Sequence, residues 1–384
     1  MAKKVLMLAA KANMIQQFNH RNIKILQELG YEVHVATNMV DFGSMSYEEN
    51  ERFKQWMIDN EIFSHQVDFE RRMGSVLGNM RSLKQLNNLF STHDFVFVHV
   101  HSPLGSVLGR IIAKKFKVPV IYTVHGFHFF RGSSKKSWIM FYPLEWLLSF
   151  ITNVMITIND EDYNLAKRHM HAKNIVKING IGVDVYKAQS VPEEYKQLAR
   201  KRIREELKIP ESAFLILSIG ELSDRKNHKV VLDALRLMSP EDRNNIYYII
   251  AGTGRNGIEL KKIANSFKFS DNFELLGYRN DINDINYASD VFIFPSLQEG
   301  LGVAGLEAVV DGTYLIGSNV RGIRDYVLNE SIGTTFSPKD PNILATIINE
   351  KVKNNCKNNN IRDNDKLINF DKRNVDYEMK KIYE

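Results

Sequence analysis

Asp290-Val-Phe-Ile-Phe-Pro-Ser-Leu-Gln-Glu-Gly-Leu-Gly-Val-Ala-Gly-Leu-Glu307 decides how this chain is read. Its opening is an apolar run suited to a buried strand. Glycines at 300, 302 and 305 mark a tight turn, and a helix is expected to open at about Gly302. The first amides of a helix have no carbonyl partner within it, and its dipole is positive at that end. Leu301, Gly302 and Val303 therefore stand where a diphosphate is best received. Glu299 lies on the turn, and Glu307 one to two turns into the helix. Carboxylates accept hydrogen bonds from hydroxyls, so a diphosphate with a sugar on each side, a nucleotide-sugar, fits the pattern.

The spacing of the two glutamates, with Phe294-Pro-Ser before them and Gly312-Thr after them, resembles the family 4 retaining glycosyltransferases of the GT-B fold. Gly317-Ser-Asn-Val-Arg-Gly-Ile-Arg-Asp325 is similar to the small-residue stretch that follows in that family. The resemblance implies an α/β protein with two Rossmann-like domains facing a cleft. It implies Glu307 on the donor ribose and Glu299 on the transferred sugar.

Other stretches extend the resemblance. Gly220-Glu-Leu-Ser-Asp-Arg-Lys-Asn-His228 occupies the place where the family carries two cations for the diphosphate. Lys226 matches one of them. Glu221 stands where the other is usually an arginine, and Arg225 is the candidate to replace it. With no metal, the growing charge of the leaving diphosphate must be met by Lys, Arg and amides. The turn Leu276-Gly-Tyr-Arg-Asn-Asp-Ile282 implies base recognition through the main chain at Tyr278 and Arg279, with Asp281 capping the next helix. Uridine is the common base in the family. His125, in Thr123-Val-His-Gly-Phe-His-Phe-Phe130, matches a histidine near the transferred sugar, and His128 reads as a loop residue first and a second contact otherwise. His99 and His101 share a strand face but lack a third ligand, and Asp160-Glu-Asp162 reads as helix capping. No metal site and no cofactor are expected.

The chain has 384 residues, 44% hydrophobic and 25% charged, enough for two domains with cores. One cysteine, Cys356, rules out a disulfide framework and fits a reducing cytoplasm. Lysines precede an apolar run at the N-terminus, and a first strand explains that run better than a signal peptide. Strand candidates alternate with helical patterns in both halves, as a parallel α/β sheet requires. In the first half they are Lys4–Ala10, Glu32–Thr37, Phe95–His101, Val118–Val124 and Asn153–Ile158. In the second half they are Phe214–Ile219, Ile246–Ala251, Phe273–Leu276, Val291–Phe294 and Tyr314–Gly317. The boundary is placed so that residues 1–185 form an acceptor-side domain and 186–369 the nucleotide-sugar domain. A helix at about 370–384 returns to the first. The stretch Lys353–Asp365 reads as a polar surface loop or a frayed helix end, with no chemistry implied.

Charge is uneven. Residues 1–185 hold 22 Lys+Arg against 16 Asp+Glu, while residues 186–384 hold 29 of each. The whole excess of +6 is in the first half, with ten of the eleven histidines. A polyanion or anionic membrane facing that half would use such an excess. The apolar run Ile139–Ile151 follows Arg131, Lys135 and Lys136. It is too short and too interrupted to span a bilayer. Two readings stay open for it: a buried helix, which is the default, and a helix resting in a membrane interface.

The expected activity is retaining transfer of a hexose from a nucleoside-diphosphate sugar, with UDP the first choice, to a hydroxyl of a glycan or polyprenyl-linked acceptor. Front-face attack and closure against water are expected. The setting implied by the resemblance is cell-surface polysaccharide or capsule synthesis. The expected location is the cytoplasm, with peripheral contact at the inner face of the membrane, and no nucleic acid is involved. Two alternatives stand beside it: another nucleotide-sugar enzyme such as a 2-epimerase, and a non-catalytic sugar-nucleotide-binding partner of a transferase.

Overall fold

The computed structural model describes residues 2–71, 73–101, 103–354 and 365–384. Cys356 and most of the polar stretch around it lie outside the described residues. The chain divides into two compact units, Met1–Ile181 with Arg373–Glu384, and Gly182–Lys372.

The first unit is built on seven parallel strands: β1 (Lys3–Lys11), β2 (Tyr31–Asn38), β3 (Phe63–Gln66), β4 (Phe95–Val100), β5 (Val120–Val124), β6 (Val154–Thr157) and β7 (Asn174–Lys177). Their order is β3-β2-β1-β4-β5-β6-β7. Val5, Met7, Leu8, Val98 and Val100 are wholly buried, which explains the near-continuous apolar sequence of the central strands. The last helix, Lys372–Tyr383, is tied into this unit. Tyr383 Oη meets His99 Nδ1 at 2.8 Å, and Arg21 Nε donates to Asp376 at 3.1 Å.

The second unit has six parallel strands: β8 (Phe214–Ile219), β9 (Ile246–Ala251), β10 (Phe273–Gly277), β11 (Val291–Phe294), β12 (Tyr314–Ser318) and β13 (Gly333–Phe336). Their order is β10-β9-β8-β11-β12-β13. A buried ion pair fixes where β11 begins. Asp290 takes Arg204 Nη2 at 2.8 Å and the Leu215 amide at 2.7 Å. Arg204 also reaches the carbonyls of Ala288, Pro210 and Ala213, so neither buried charge lacks hydrogen bonds.

In both sheets the strand order reverses once, between β1 and β4 and between β8 and β11. Ligands of open parallel sheets bind outside the carboxyl ends of the strands at that reversal. The loops after β1, β4, β8 and β11 are therefore the positions to inspect.

Two expectations need correction. Asp281 sits at the N-cap of helix Ile282–Ala288 but makes no capping hydrogen bond. Its carboxylate instead takes Arg279, at 2.8 and 2.6 Å, because a two-pronged guanidinium contact outcompetes a single amide. The default reading of the apolar run also fails. Helix Lys135–Ser149 buries Glu145, Leu148 and Ser149 but leaves Ile139 76%, Met140 58% and Leu147 59% exposed. Glu145 is the reason for this orientation. It pairs with Arg110 at 2.9 Å and accepts from Tyr122 Oη at 3.1 Å, which turns the polar face inward.

Candidate active site

The helix expected at Gly302 runs from Val303 to Asp311, with Gly302 as its N-cap at φ 84°. A side chain there would be strained, and its Cβ would lie 2.6 Å from the Phe294 ring. Tyr326 Oη donates to the Gly302 carbonyl at 3.0 Å and holds the turn from behind. Leu301 is buried, so this turn offers its amides on a fixed base.

The loop after β8 meets the loop after β11. Leu297 N–H donates to the Arg225 carbonyl at 2.8 Å, and Asn227 Nδ2 donates to the Pro295 carbonyl at 3.1 Å. This contact brings Lys226, Arg225 and Glu299 together. Glu299 Oε1 accepts from Lys226 Nζ at 2.7 Å and from Arg225 Nη1 at 3.1 Å. The Lys226 side chain is only 12% exposed and lies over the Phe294 ring, with Nζ 4.6 Å from its centre. Burial lowers its pKa, and Glu299 acts in the other direction. Glu221 is solvent-exposed, and Arg225 stands beside Lys226 on the same carboxylate.

Glu307 is placed apart from that cluster. It lines a cavity of about 470 Å³ with Asp184, Tyr287 and Asp311. Burial, helped by Asp311 and Asp184, pushes its carboxyl up to about 7. At the β10 turn Tyr278 is 74% exposed, and the Arg279 side chain is held by Glu206 and Asp281. Their side chains are thus either in solvent or engaged, leaving the main chain for recognition.

Sequence reasoning passed over three features here. Gly252 and Gly254 follow β9, and a Cβ on Gly252 would lie 2.0 Å from the Gly220 carbonyl. The glycine pair directly after a strand was the readable signal. Arg321, buried, donates from Nε to the Glu299 carbonyl at 3.1 Å and so positions the turn. His228 is buried under the β8 loop, and burial, then Lys226, hold its imidazole neutral with a pKa of about 4. Nothing in its spacing marked it.

In the first unit, His125 ends β5 half-buried. Its Nε2 lies 3.1 Å from His101 Nδ1, and burial lowers its pKa to about 4. His101 meets Met7 Sδ through its other nitrogen, so this face is a linked imidazole row. The acidic run at 160–162, expected to cap its helix, stands in the first turn after the cap Asn159; Asp160 takes Lys177 at 2.7 Å, and the other two serve the same loop as His125. Asp162 accepts from the Phe127 amide at 3.3 Å, and Glu161 from the Arg131 amide at 2.9 Å. A second cavity of about 810 Å³ lies over the β1/β4 reversal, lined by Lys11, Arg71, Leu104, His128, Met140 and Phe141 among others. His128 is in a loop, the favoured expectation, and belongs to this lining.

Residues 199–367 match the family described as Glycosyl transferases group 1, and residues 4–158 match Glycosyl transferase 4-like. The chain is 30% identical over 354 residues to the putative glycosyltransferase EpsD of Bacillus subtilis, covering 91% of this chain and 87% of that one. It is 32% identical over 300 residues to the UDP-Gal:alpha-D-GlcNAc-diphosphoundecaprenol alpha-1,3-galactosyltransferase of Escherichia coli, covering 74% of this chain and 75% of that one. Among solved structures, Anabaena HepE in complex with UDP-glucose superposes with a TM-score of 0.75 at 17% identity, over 99% of this chain and 98% of that one. That likeness speaks for the fold. With the two family matches and the EpsD relationship, it leaves one assignment: the chain belongs to the group 1 glycosyltransferases, with the GT-B fold, and is a glycosyltransferase.

Proposed function

We propose that this enzyme moves a hexose, with retention, from a UDP-sugar to a hydroxyl of a lipid-linked glycan during cell-surface polysaccharide synthesis. The observation that carries the donor half is the cluster at the β8/β11 reversal. Two cations and a carboxylate converge there, next to the N-terminus of helix Val303–Asp311, the end of a helix that favours an anion. In this reading Lys226 and Arg225 turn from Glu299 to the diphosphate and stabilise it as it leaves. Glu299 is then released to the sugar hydroxyls. Leu301, Gly302 and Val303 contribute amides, Glu307 takes the ribose, and the main chain at Tyr278 and Arg279 takes the base. His125 is the first unit's candidate for contact with the transferred sugar. No cofactor enters the scheme.

The transition state gathers positive charge on the sugar and negative charge on the diphosphate. Front-face attack needs no protein nucleophile, since the departing diphosphate accepts the acceptor's proton. Two names support the substrate choice: the E. coli relative is a galactosyltransferase using UDP-Gal and a diphosphoundecaprenol acceptor, and another relative, from Staphylococcus aureus, is a capsular polysaccharide biosynthesis glycosyltransferase. The acceptor is assigned to the first unit, whose cavity is lined partly by Leu104, Met140 and Phe141. Among the described residues no helix is long and apolar enough to cross a membrane, so a lipid-linked acceptor would be met by surface contact.

The test is a panel of sugar nucleotides read as diphosphate release, with and without polyprenyl-diphosphate sugars. UDP release that depends on acceptor, with an α-linked product from an α-linked donor, is expected. A 2-epimerised sugar nucleotide as product, or no turnover with any donor, would overturn the assignment.

A further inference from the structure

Three further histidines meet in the first unit, none of them part of the His101–His125 row. His34 is on β2, His65 on the edge strand β3, and His93 follows helix Val76–Thr92 just before β4. In the sheet register His34 stands opposite Phe63 and Ala36 opposite His65. His34 and His65 are thus diagonal neighbours on one face of the pleat. One ring nitrogen from each of the three lies within 4.8 Å of the others. Residues 34, 65 and 93 are so far apart in sequence that no ligand spacing revealed them.

The hydrogen bonds around the group orient its lone pairs. Glu32 Oε1 accepts from His34 Nε2 at 2.9 Å, which leaves His34 Nδ1 as the acceptor nitrogen. That nitrogen faces His65 Nε2 at 2.8 Å. His93 Nδ1 lies 3.1 Å from the Leu89 carbonyl and 2.9 Å from Thr92 Oγ1, whose own hydrogen goes to the carbonyls of Asn88 and Leu89, so Nδ1 carries the proton and the lone pair of His93 is on Nε2. Two of the three rings are therefore held from outside, one by a carboxylate and one by a carbonyl, as metal-binding imidazoles usually are. We propose that His34, His65 and His93 bind a zinc-type divalent transition metal through three imidazole nitrogens, with a fourth position for water.

Tetrahedral zinc with bonds of about 2.0–2.1 Å places its nitrogens roughly 3.3 Å apart. The pair at 2.8 Å opens slightly when the ion replaces the shared proton, and the widest pair closes by side-chain rotation. All three donors are imidazoles, which suits zinc, nickel, cobalt or copper and disfavours magnesium and calcium. The role is structural. β3 is four residues long, largely polar and paired only to β2. An ion held by β2, β3 and the entry to β4 fastens this edge.

The experiment uses the full chain, freed of metal by chelator and dialysis. Cobalt is added as an optical probe and zinc by calorimetry. One equivalent is expected, with the absorption of four-coordinate cobalt and a zinc-dependent rise in melting temperature. His65→Gln and His93→Gln, both at half-buried positions, should each weaken zinc at least tenfold. Glu32→Gln should weaken it tenfold or more through His34 while leaving the ligands in place. Folding of each variant is checked by circular dichroism, and any two of the three suffice. Absence of stoichiometric zinc binding would reduce the group to an aromatic stack with Phe63 and Phe95. Zinc binding unchanged in His65→Gln and His93→Gln would place the ion elsewhere. Either result overturns the proposal.

Discussion

The two switch points share a topology and differ in chemistry. Both lie where a 3-2-1-4-5-6 strand order reverses, β1/β4 in one unit and β8/β11 in the other. At the second, a half-exposed arginine and a largely buried lysine share one buried glutamate, so one positive charge is left over. At the first, a larger cavity mixes Lys11, Glu70 and Arg71 with Leu104, Met140 and Phe141, beside a helix whose apolar face is in solvent. Fold order thus fixes where a ligand sits, and the loops decide which kind. A charge cluster with cations in excess is suited to exchanging its carboxylate for a diphosphate. A cavity of mixed polarity is suited to something with a sugar end and an apolar tail.

The largest expected effect tests the charge cluster. Lys226→Ala should lower kcat by roughly 10²–10³-fold, about 3–4 kcal/mol, if Lys226 meets the developing diphosphate charge. The drop should exceed any loss in KM. Wild-type turnover should persist in chelator without added magnesium or manganese. Turnover that vanishes in chelator and returns with either ion would assign the charge stabilisation to a metal.

Glu299→Ala separates sugar from nucleoside. It should cut turnover by roughly 10²-fold while sparing UDP affinity. Removing Glu299 also ends its competition for Lys226, so UDP binding in calorimetry should hold or tighten. A proportional loss of both would place Glu299 on the nucleotide and erase the division of labour with Glu307.

Much of this site was legible because glycine is costly unless the backbone needs it. The turn from Gly300 to Gly305, the strand before it and the cations of the β8 loop could each be read locally. Arg321 and His228 could not, because Arg321 acts on the carbonyl of a residue 22 positions earlier and His228 acts by being buried beneath its own loop, and neither arrangement leaves a local pattern. The same limit applied to the fold. Ten strands were anticipated, and the three missed, β3, β7 and β13, are all four-residue edges. An edge strand has one neighbour and one solvated side, so Phe-Ser-His-Gln and Gly-Thr-Thr-Phe carry little apolar pattern. The exposed face of helix Lys135–Ser149 was misjudged for a related reason. Apolar composition does not say which side is out, and the buried Glu145–Arg110 pair is what decides it.

Glu307 gives a smaller effect with a sign. Its carboxyl rises from an ordinary 4.5 to about 7 in the folded chain. The folded state therefore binds more protons than the unfolded state between those values, and stability falls as pH rises through that window. Above it the penalty is on the order of 1–3 kcal/mol. Glu307→Gln should remove this and raise the melting temperature at pH 8 but hardly at pH 4. UDP affinity should fall by about 1.5–3 kcal/mol, since a charged acceptor for the ribose is lost. Wild-type UDP binding should strengthen from pH 6 to pH 8 as the carboxylate forms. Unchanged UDP binding in the variant would free the 470 Å³ cavity from the donor site.

The smallest effect per residue tests the other side of the comparison, the solvent-facing helix of the first unit. Arg131, Lys135 and Lys136 are exposed, and Ile139, Met140, Leu147 and Phe150 present more than half their surface nearby. A cationic rim beside an apolar face is the composition of an interfacial helix. Each cation near an anionic bilayer contributes about 1 kcal/mol, screened beyond a Debye length of about 8 Å at physiological salt. Replacing all three with glutamine should weaken binding to phosphatidylglycerol vesicles, with the larger difference at low salt. Ile139→Ser with Leu147→Ser should weaken the part that survives high salt, because that part comes from apolar contact. UDP affinity should be unchanged in both variants, since the residues proposed to hold the nucleotide belong to the second unit. Wild-type protein that ignores the vesicles, or binds them equally in every variant, would return the helix face to a partner other than lipid and leave the basic excess of the first half as surface charge.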